Sequence, residues 1–297
     1  MKTNSGEIVV GVDGSAGSKQ AVLWAADEAR RRHLGLRIVH GLRMSELYYG
    51  GGLAGPPLFD AVREAGEQFV SEAKETALSG GDLPVTTAMP VDAPSPLLIE
   101  LSKEAPMVVV GASGKGGFTG MLVGSTAAAV SRHGHCPVVV VRGRNHTTYV
   151  PTSGLVVVGV DGTPSSEPAI EYAFEEASHR GAELVAVHAW SDVTYDDVYG
   201  TARLVPEWQS LEEGEERLFA ERLAGWQEKY PDVQVRRHLV RDRARHVLIE
   251  QSAVAQLVVV GTRGRGGFRG MLLGSTSQAL VQHAECPVLV VPSQDDA

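Results

Sequence analysis

The chain has 297 residues, enough for about two domains, and its 43% hydrophobic and 21% charged residues exclude disorder as the default. The 27 Lys and Arg against 36 Asp and Glu leave a formal charge of −9, which argues against nucleic acid and anionic membrane surfaces as partners. The opening MKTNSGEIVVGVDGS has no signal-peptide-like apolar stretch and no segment approaches about 18 uninterrupted apolar residues, so a cytoplasmic location is expected.

Along the first half, short β-branched runs predict strands near 7–13, 36–42, 84–90, 106–112 and 137–142. Amphipathic stretches between them predict helices near 17–33, 58–79, 95–104 and 124–133. A polar segment from Gly143 to Ser153 follows, and strands are expected again near 155–161, 183–190, 233–240, 256–262 and 287–292. Alternation of strand and helix argues for βαβ units and a parallel sheet covered on both faces. Val108, Val109 and Val110, like Val258, Val259 and Val260, are apolar on both faces, as strands at the centre of such a sheet require.

The two halves are copies. IVVGVDGSAGSKQAV from Ile8 returns as VVVGVDGTPSSEPAI from Val156, displaced by 148 residues. The helical face of Ala21, Val22, Ala25, Ala26 and Ala29 returns as Ala169, Ile170, Ala173, Phe174 and Ala177. GASGKGGFTGMLVGST from Gly111 and GTRGRGGFRGMLLGST from Gly261 share 11 of 16 positions. The fold class is therefore α/β, with two tandem five-stranded parallel sheets flanked by helices and domains spanning 1–143 and 154–297. Right-handed crossovers around a central first strand favour the order 3-2-1-4-5, with a crevice outside the carboxyl ends of strands one and four.

Asp13 and Asp161 lie at that crevice, behind Gly11 and Gly159, and so does the loop after strand four. Gly111, Gly114, Gly116, Gly117, Gly120 and Gly124 leave its backbone free to approach a ligand, and Gly124, Ser125 and Thr126 lead into a helix whose first amides and dipole favour phosphate. Gly261, Gly264, Gly266, Gly267, Gly274, Ser275 and Thr276 repeat the arrangement. Lys115 and Arg265 supply a cation in each copy, and Arg263 and Arg269 replace Ser113 and Thr119, which suggests tighter phosphate binding in the second. A flexible connector is the plainer reading of such a loop. Neither GxxxxGK followed by Ser or Thr, nor GxGxxG, is present after either first strand, so P-loop and dinucleotide chemistry fall away.

These residues resemble the universal stress protein family. The resemblance spans nearly the whole chain, and the tandem layout, with LAGWQEKYP near Leu223, is most similar to mycobacterial and actinobacterial members. The family's ATP-binding pattern G-x2-G-x9-G followed by Ser or Thr is met by Gly111, Gly114, Gly124 and Ser125, and by Gly261, Gly264, Gly274 and Ser275. The resemblance implies a Rossmann-like fold of the adenine nucleotide alpha hydrolase type, ATP with Mg2+ as ligand, nucleoside contact at Asp13 and Asp161, and an adenine pocket lined by Gly41 and Ala189, where relatives often carry valine. It further implies a regulator of stress response or growth arrest; related proteins pair their last strands, and here the two copies are expected to pair with each other within one chain, with four nucleotide sites if two chains then form a homodimer.

Other features carry two readings each. Asp13 and Asp161 can contact ligand or Mg2+, or can cap the following turn at Ser15 and Thr163. His40 and His188 suit structural hydrogen bonds near the sheet edge better than catalysis. His133, His135 and Cys136 are spaced like metal ligands, but the second copy has His283, Glu285 and Cys286, so no metal site is expected and the cysteines suit a reduced core. GGGLAGPP from Gly50 and YDDVYGTARLVP from Tyr195 are lids or ordinary surface loops. No nucleophile and base pair is evident, which favours a nucleotide-dependent regulator, possessing or lacking an unidentified protein partner, over a slow ATPase or phosphotransferase, or a ligand-independent scaffold.

Overall fold

In the computed structural model, which describes residues 6–43, 56–114, 123–143, 150–190, 208–264 and 273–293, the chain divides into two units, chiefly Met1–Arg142 and Tyr149–Ala297. The first runs β1 (Glu7–Gly11), α1 (Ala16–Arg31), β2 (Gly35–Val39), α2 (Pro56–Leu78), β3 (Val85–Ala88), α3 (Pro94–Leu101), β4 (Val108–Gly111), α4 (Ser125–His133) and β5 (Val138–Val141). The second runs β6 (Leu155–Gly159), a 3-10 turn at Pro164–Ser166, α5 (Glu167–Arg180), β7 (Leu184–Ala189), α6 (Trp208–Leu223), α7 (Trp226–Lys229), β8 (Val235–Val240), α8 (Ala244–Ser252), β9 (Ala255–Gly261), α9 (Ser275–His283) and β10 (Val288–Val291).

All strand pairs within each unit are parallel. The order is β3-β2-β1-β4-β5 in the first unit and β8-β7-β6-β9-β10 in the second, the expected 3-2-1-4-5 arrangement in both. β1 and β6 are the middle strands, and the triple-valine strands β4 and β9 lie beside them with Val108 to Val110 and Val258 to Val260 buried. Burial on both faces explains why these strands read as continuous apolar runs, each side chain contributing about 1.5–3 kcal/mol.

The repeated helical faces pack on these sheets. Ala21, Val22, Ala25, Ala26 and Ala29 of α1, and Ala169, Ile170, Ala173, Phe174 and Ala177 of α5, are all buried. Ser15 caps α1, its hydroxyl accepting from the Ser18 amide at 3.1 Å. The LAGWQEKYP stretch folds as a turn through Gly225, at φ 82°, into the single-turn helix α7. It serves packing: Trp226 and Tyr230 stack on Phe174, with ring centroids 5.9 and 5.8 Å away.

Each unit also buries one ion pair at the end of its first helix. Glu28 accepts from Arg32 at 2.5 Å, and Glu176 from Arg180 at 2.8 Å, with both carboxylates fully buried. Such a pair costs desolvation, and breaking it strands a buried charge. Arg180→Met is therefore expected to destabilise the second unit by about 3–5 kcal/mol, and Glu176→Leu combined with Arg180→Met to recover most of that loss. Urea unfolding of the parent and the two variants checks this, and equal losses in the single and double variants would contradict it.

Candidate functional site

The parallel pairing of β1 with β4 aligns Val9 with Val108 and Val10 with Val109, so the chain leaves both strands on the same side of the sheet. After β1, the Val12 amide donates to Val39 at 2.9 Å and Asp13 begins a turn. Asp13 Oδ1 accepts from the Ser15 amide at 3.0 Å, and Gly14 takes φ 73°, a conformation that suits glycine. In the second unit Asp161 Oδ1 accepts from the Thr163 amide and hydroxyl, each at 2.8 Å, and Gly162 takes φ 79°. Both aspartates thus cap their turns.

Capping still leaves each carboxylate against the glycine loop. A Cβ on Gly114 would lie 2.5 Å from Asp13 Oδ2, and a Cβ on Gly264 would lie 3.4 Å from Asp161 Oδ2. The loop is stapled at its base: the Gly124 amide donates to the Ala112 carbonyl at 2.7 Å, and the Gly274 amide to Thr262 at 2.7 Å. Ser125 and Ser275 then begin α4 and α9, behind glycine caps that supply no side-chain acceptor for the first amides. Ser125 and Ser275 are exposed, and Thr126 and Thr276 half-buried. Thr262 Oγ1 is buried without a hydrogen-bond partner among the described residues.

Several sequence-predicted residues serve packing around this centre. Gly11 and Gly159 admit a leucine from the helix above: an added Cβ would meet Leu98 Cδ1 at 2.8 Å and Leu248 Cδ1 at 2.9 Å. Gly111 admits the first turn of α1, with the Gly17 carbonyl carbon 2.6 Å from an added Cβ. Gly41 is buried against the turn between β3 and α3, where a Cβ would meet the Asp92 carbonyl oxygen at 2.9 Å. A valine there would force that backbone aside. Ala189 ends β7 and is half-buried. Lys115, Gly116, Gly117, Gly120, Thr119, Arg265, Gly266, Gly267 and Arg269 lie outside the described residues, as do 50–55 and 195–206 of the two candidate lids.

His40 and His188 close the ends of the second strands. These strands lie one in from β3 and β8 and so near the sheet edge, as expected. His40 Nδ1 donates to the Val12 carbonyl and His188 Nδ1 to Val160, both at 2.7 Å, which holds the carbonyls immediately before Asp13 and Asp161. A carbonyl can only accept, so Nδ1 carries the proton in each ring. His188 Nε2 meets Glu215 Oε2 at 2.8 Å, with one proton shared between them, and the ring packs on Phe219. His40 packs on Phe69, but the position matching Glu215 is Ala65.

Sequence reasoning missed Glu215, because its pairing with His188 joins a helix to a strand 27 residues away. The repeated histidine was the available signal. Cys136 and Cys286 are buried and form no disulfide. Burial pushes the Cys136 thiol up to about 12, against smaller lowering by backbone hydrogen bonds, as a packing role requires. Among the described residues no group of His, Cys, Asp and Glu is placed to hold a metal, and no helix is long and apolar enough to cross a membrane.

An α/β unit with a stapled glycine loop at the switch point, present twice, defines the class of protein. The sequence pattern of the universal stress protein family matches residues 5–142 and 154–292, and the chain belongs to that family, with two of its domains in tandem. It is 42% identical to the universal stress protein Rv2005c of Mycobacterium tuberculosis over 288 residues, covering 95% of this chain and 96% of the relative. It is 39% identical to Rv2623 of the same organism over 287 residues, covering 95% of each. The crystal structure of a universal stress protein from Archaeoglobus fulgidus DSM 4304 shares the fold, at a TM-score of 0.68 and 20% identity, covering 99% of this chain and 98% of that one.

Glu215→Ala is expected to cost the second unit about 1–3 kcal/mol by removing the hydrogen-bond partner of a buried ring nitrogen. Glu215→Gln, which can still hydrogen-bond, is expected to cost less. Chemical denaturation ranks the two, and equal stability of Glu215→Ala and the parent would refute the structural role.

Proposed function

We propose that residues 1–143 and 154–297 each bind an adenine nucleotide, ATP with Mg2+, in the crevice at the carboxyl ends of strands one and four. Occupancy then acts as a signal in stress response or growth arrest, in the cytoplasm, on a protein partner or a second copy of the chain in a homodimer. The observation that carries this reading is the duplicated contact between an aspartate carboxylate and the first turn of a stapled glycine loop. An acceptor for sugar hydroxyls or a ligand for Mg2+ there stands beside a helix start whose amides and hydroxyls suit phosphate. Adenine nucleotide has both kinds of group, and Mg2+ would neutralise phosphate charge between them.

The residues support binding better than turnover. Asp13 and Asp161 are held by their turns, and His188 is committed to Val160 and Glu215, so no described side chain is left poised as a general base beside the loop.

Gentle denaturation of the purified chain is expected to release close to two adenine nucleotides per chain, identified by mass spectrometry. Asp13→Ala and Asp161→Ala are each expected to weaken one of two calorimetric sites at least about tenfold, or about 1.4 kcal/mol, without unfolding the chain. A chain that carries no nucleotide and binds no ATP with Mg2+ sinks the reading. Phosphate release that vanishes in both variants would move it to a slow ATPase. Light scattering at twice the chain mass supports the homodimer, and a monomeric mass removes it.

A further inference from the structure

The two copies differ most in charge along the turn between the third strand and the following helix. The first copy reads VTTAMPVDAPSP over residues 85–96, with no basic residue, whereas the second reads VRRHLVRDRARH over residues 235–246, with five arginines and two histidines. The helices are equivalent: α3 starts at Pro94 behind Ala93, and α8 at Ala244 behind Arg243, 150 residues on. Leu98 and Leu248 stand at the same position in each and meet Gly11 and Gly159 at the same approach.

That equivalence locates the charge. In the first copy Ser95, second residue of α3, has its hydroxyl 3.5 Å from Thr126 Oγ1, in the first turn of the helix that follows the glycine loop. Arg245 stands at the position of Ser95, and Thr276 at that of Thr126. Arg245 therefore starts beside the end of the second crevice where phosphate is expected, and its side chain is exposed.

Most neighbouring cations are already committed. Arg236 pairs with Glu183 at 2.8 Å, His246 bonds Asp242 at 2.9 Å and lies 3.4 Å from Glu250, and Arg241 stacks over Trp190 at 6.0 Å. Arg237 lines a groove with Glu213 and Glu216. The guanidinium groups of Arg243 and Arg245 make no hydrogen bond or ion pair among the described residues, and Asp242, next to Arg243, is engaged by His246 and by the Arg243 amide. On the loop side Arg263 replaces Ser113 as a further cation.

We propose that Arg243 and Arg245 form an anion subsite at the mouth of the second crevice, making that site selective for nucleoside triphosphates over monophosphates, while the first site discriminates little. Guanidinium is the fitting group, since it stays charged and forms paired hydrogen bonds with phosphate oxygens. In a chain with net negative charge, two exposed arginines at one crevice, whose guanidinium groups have no hydrogen-bonded or ion-paired partner among the described residues and of which Arg243 acts on Asp242 only through space, and none at its duplicate, give the sites different ligands from one fold. The inference rests on the nucleotide reading of the crevice and adds which copy senses phosphate charge.

Calorimetry on the full chain tests it, with Asp13→Ala exposing the second site and Asp161→Ala the first. The second site is expected to prefer ATP over AMP at least about tenfold more strongly than the first does, and Arg243→Ala with Arg245→Ala to remove most of that extra preference. The reciprocal graft, Ala93→Arg with Ser95→Arg read in the Asp161→Ala chain, is expected to raise the ATP to AMP ratio of the first site, with circular dichroism reporting its fold. An unchanged ratio in both experiments overturns the subsite while nucleotide binding stands. Failure of the parent chain to bind either nucleotide overturns the crevice reading, and the subsite falls with it.

Discussion

The parallel hydrogen bonding between β1 and β4, and between β6 and β9, is the interaction on which each unit's candidate site depends. It sets two carboxyl ends side by side, Gly11 and Gly111 in the first unit and Gly159 and Gly261 in the second, although about 100 residues separate them in sequence. From one end the chain turns toward α1 or α5 through an aspartate, and from the other it enters the glycine loop. Because the intervening connections leave in opposite directions from this pair, a crevice opens between them that neither connection fills. Without that pairing the aspartate and the loop would be two unrelated turns.

Around this centre, small residues set distances and polar residues hold orientations. Glycines at the ends of β1, β4 and β6 admit a helix or a leucine where a methyl group would collide. The histidines of the second strands tie down the carbonyls before the aspartates, and the first residue after β4 or β9 receives the amide that closes the loop. These bonds are made within the protein, so the amides at the starts of α4 and α9 keep their capacity for an outside acceptor. The aspartate turns and the base of each glycine loop are thus held by the protein's own hydrogen bonds.

Duplication has kept this frame and let its rim diverge. The aspartate, the loop glycines, the histidine and the loop staple recur at matching positions, and so do the buried ion pairs of the first helices. Differences fall where a side chain meets solvent or fills a gap: Ala65 against Glu215, Ser113 against Arg263, Ser95 against Arg245. Rim positions change charge with little cost in packing, whereas a change at a buried glycine forces backbone to move.

The amino-acid sequence by itself determined the α/β alternation, the repeat, the strand order and the family, because hydrophobic periodicity and glycine spacing act locally and were printed twice. It also marked Asp13, Asp161 and both glycine loops. Only the tertiary structure decided what these residues touch. The aspartates cap their turns while facing Gly114 and Gly264; Gly11 and Gly159 serve helix packing; the histidines tie down the carbonyls before the aspartates, and Glu215 joins one of them. Such contacts join residues tens of positions apart through the sheet, and side-chain identity along one segment carries no distance to another. The asymmetry of the arginine-rich turn was visible as letters, but its relation to Thr276 follows from two helix starts that the folded sheet brings together.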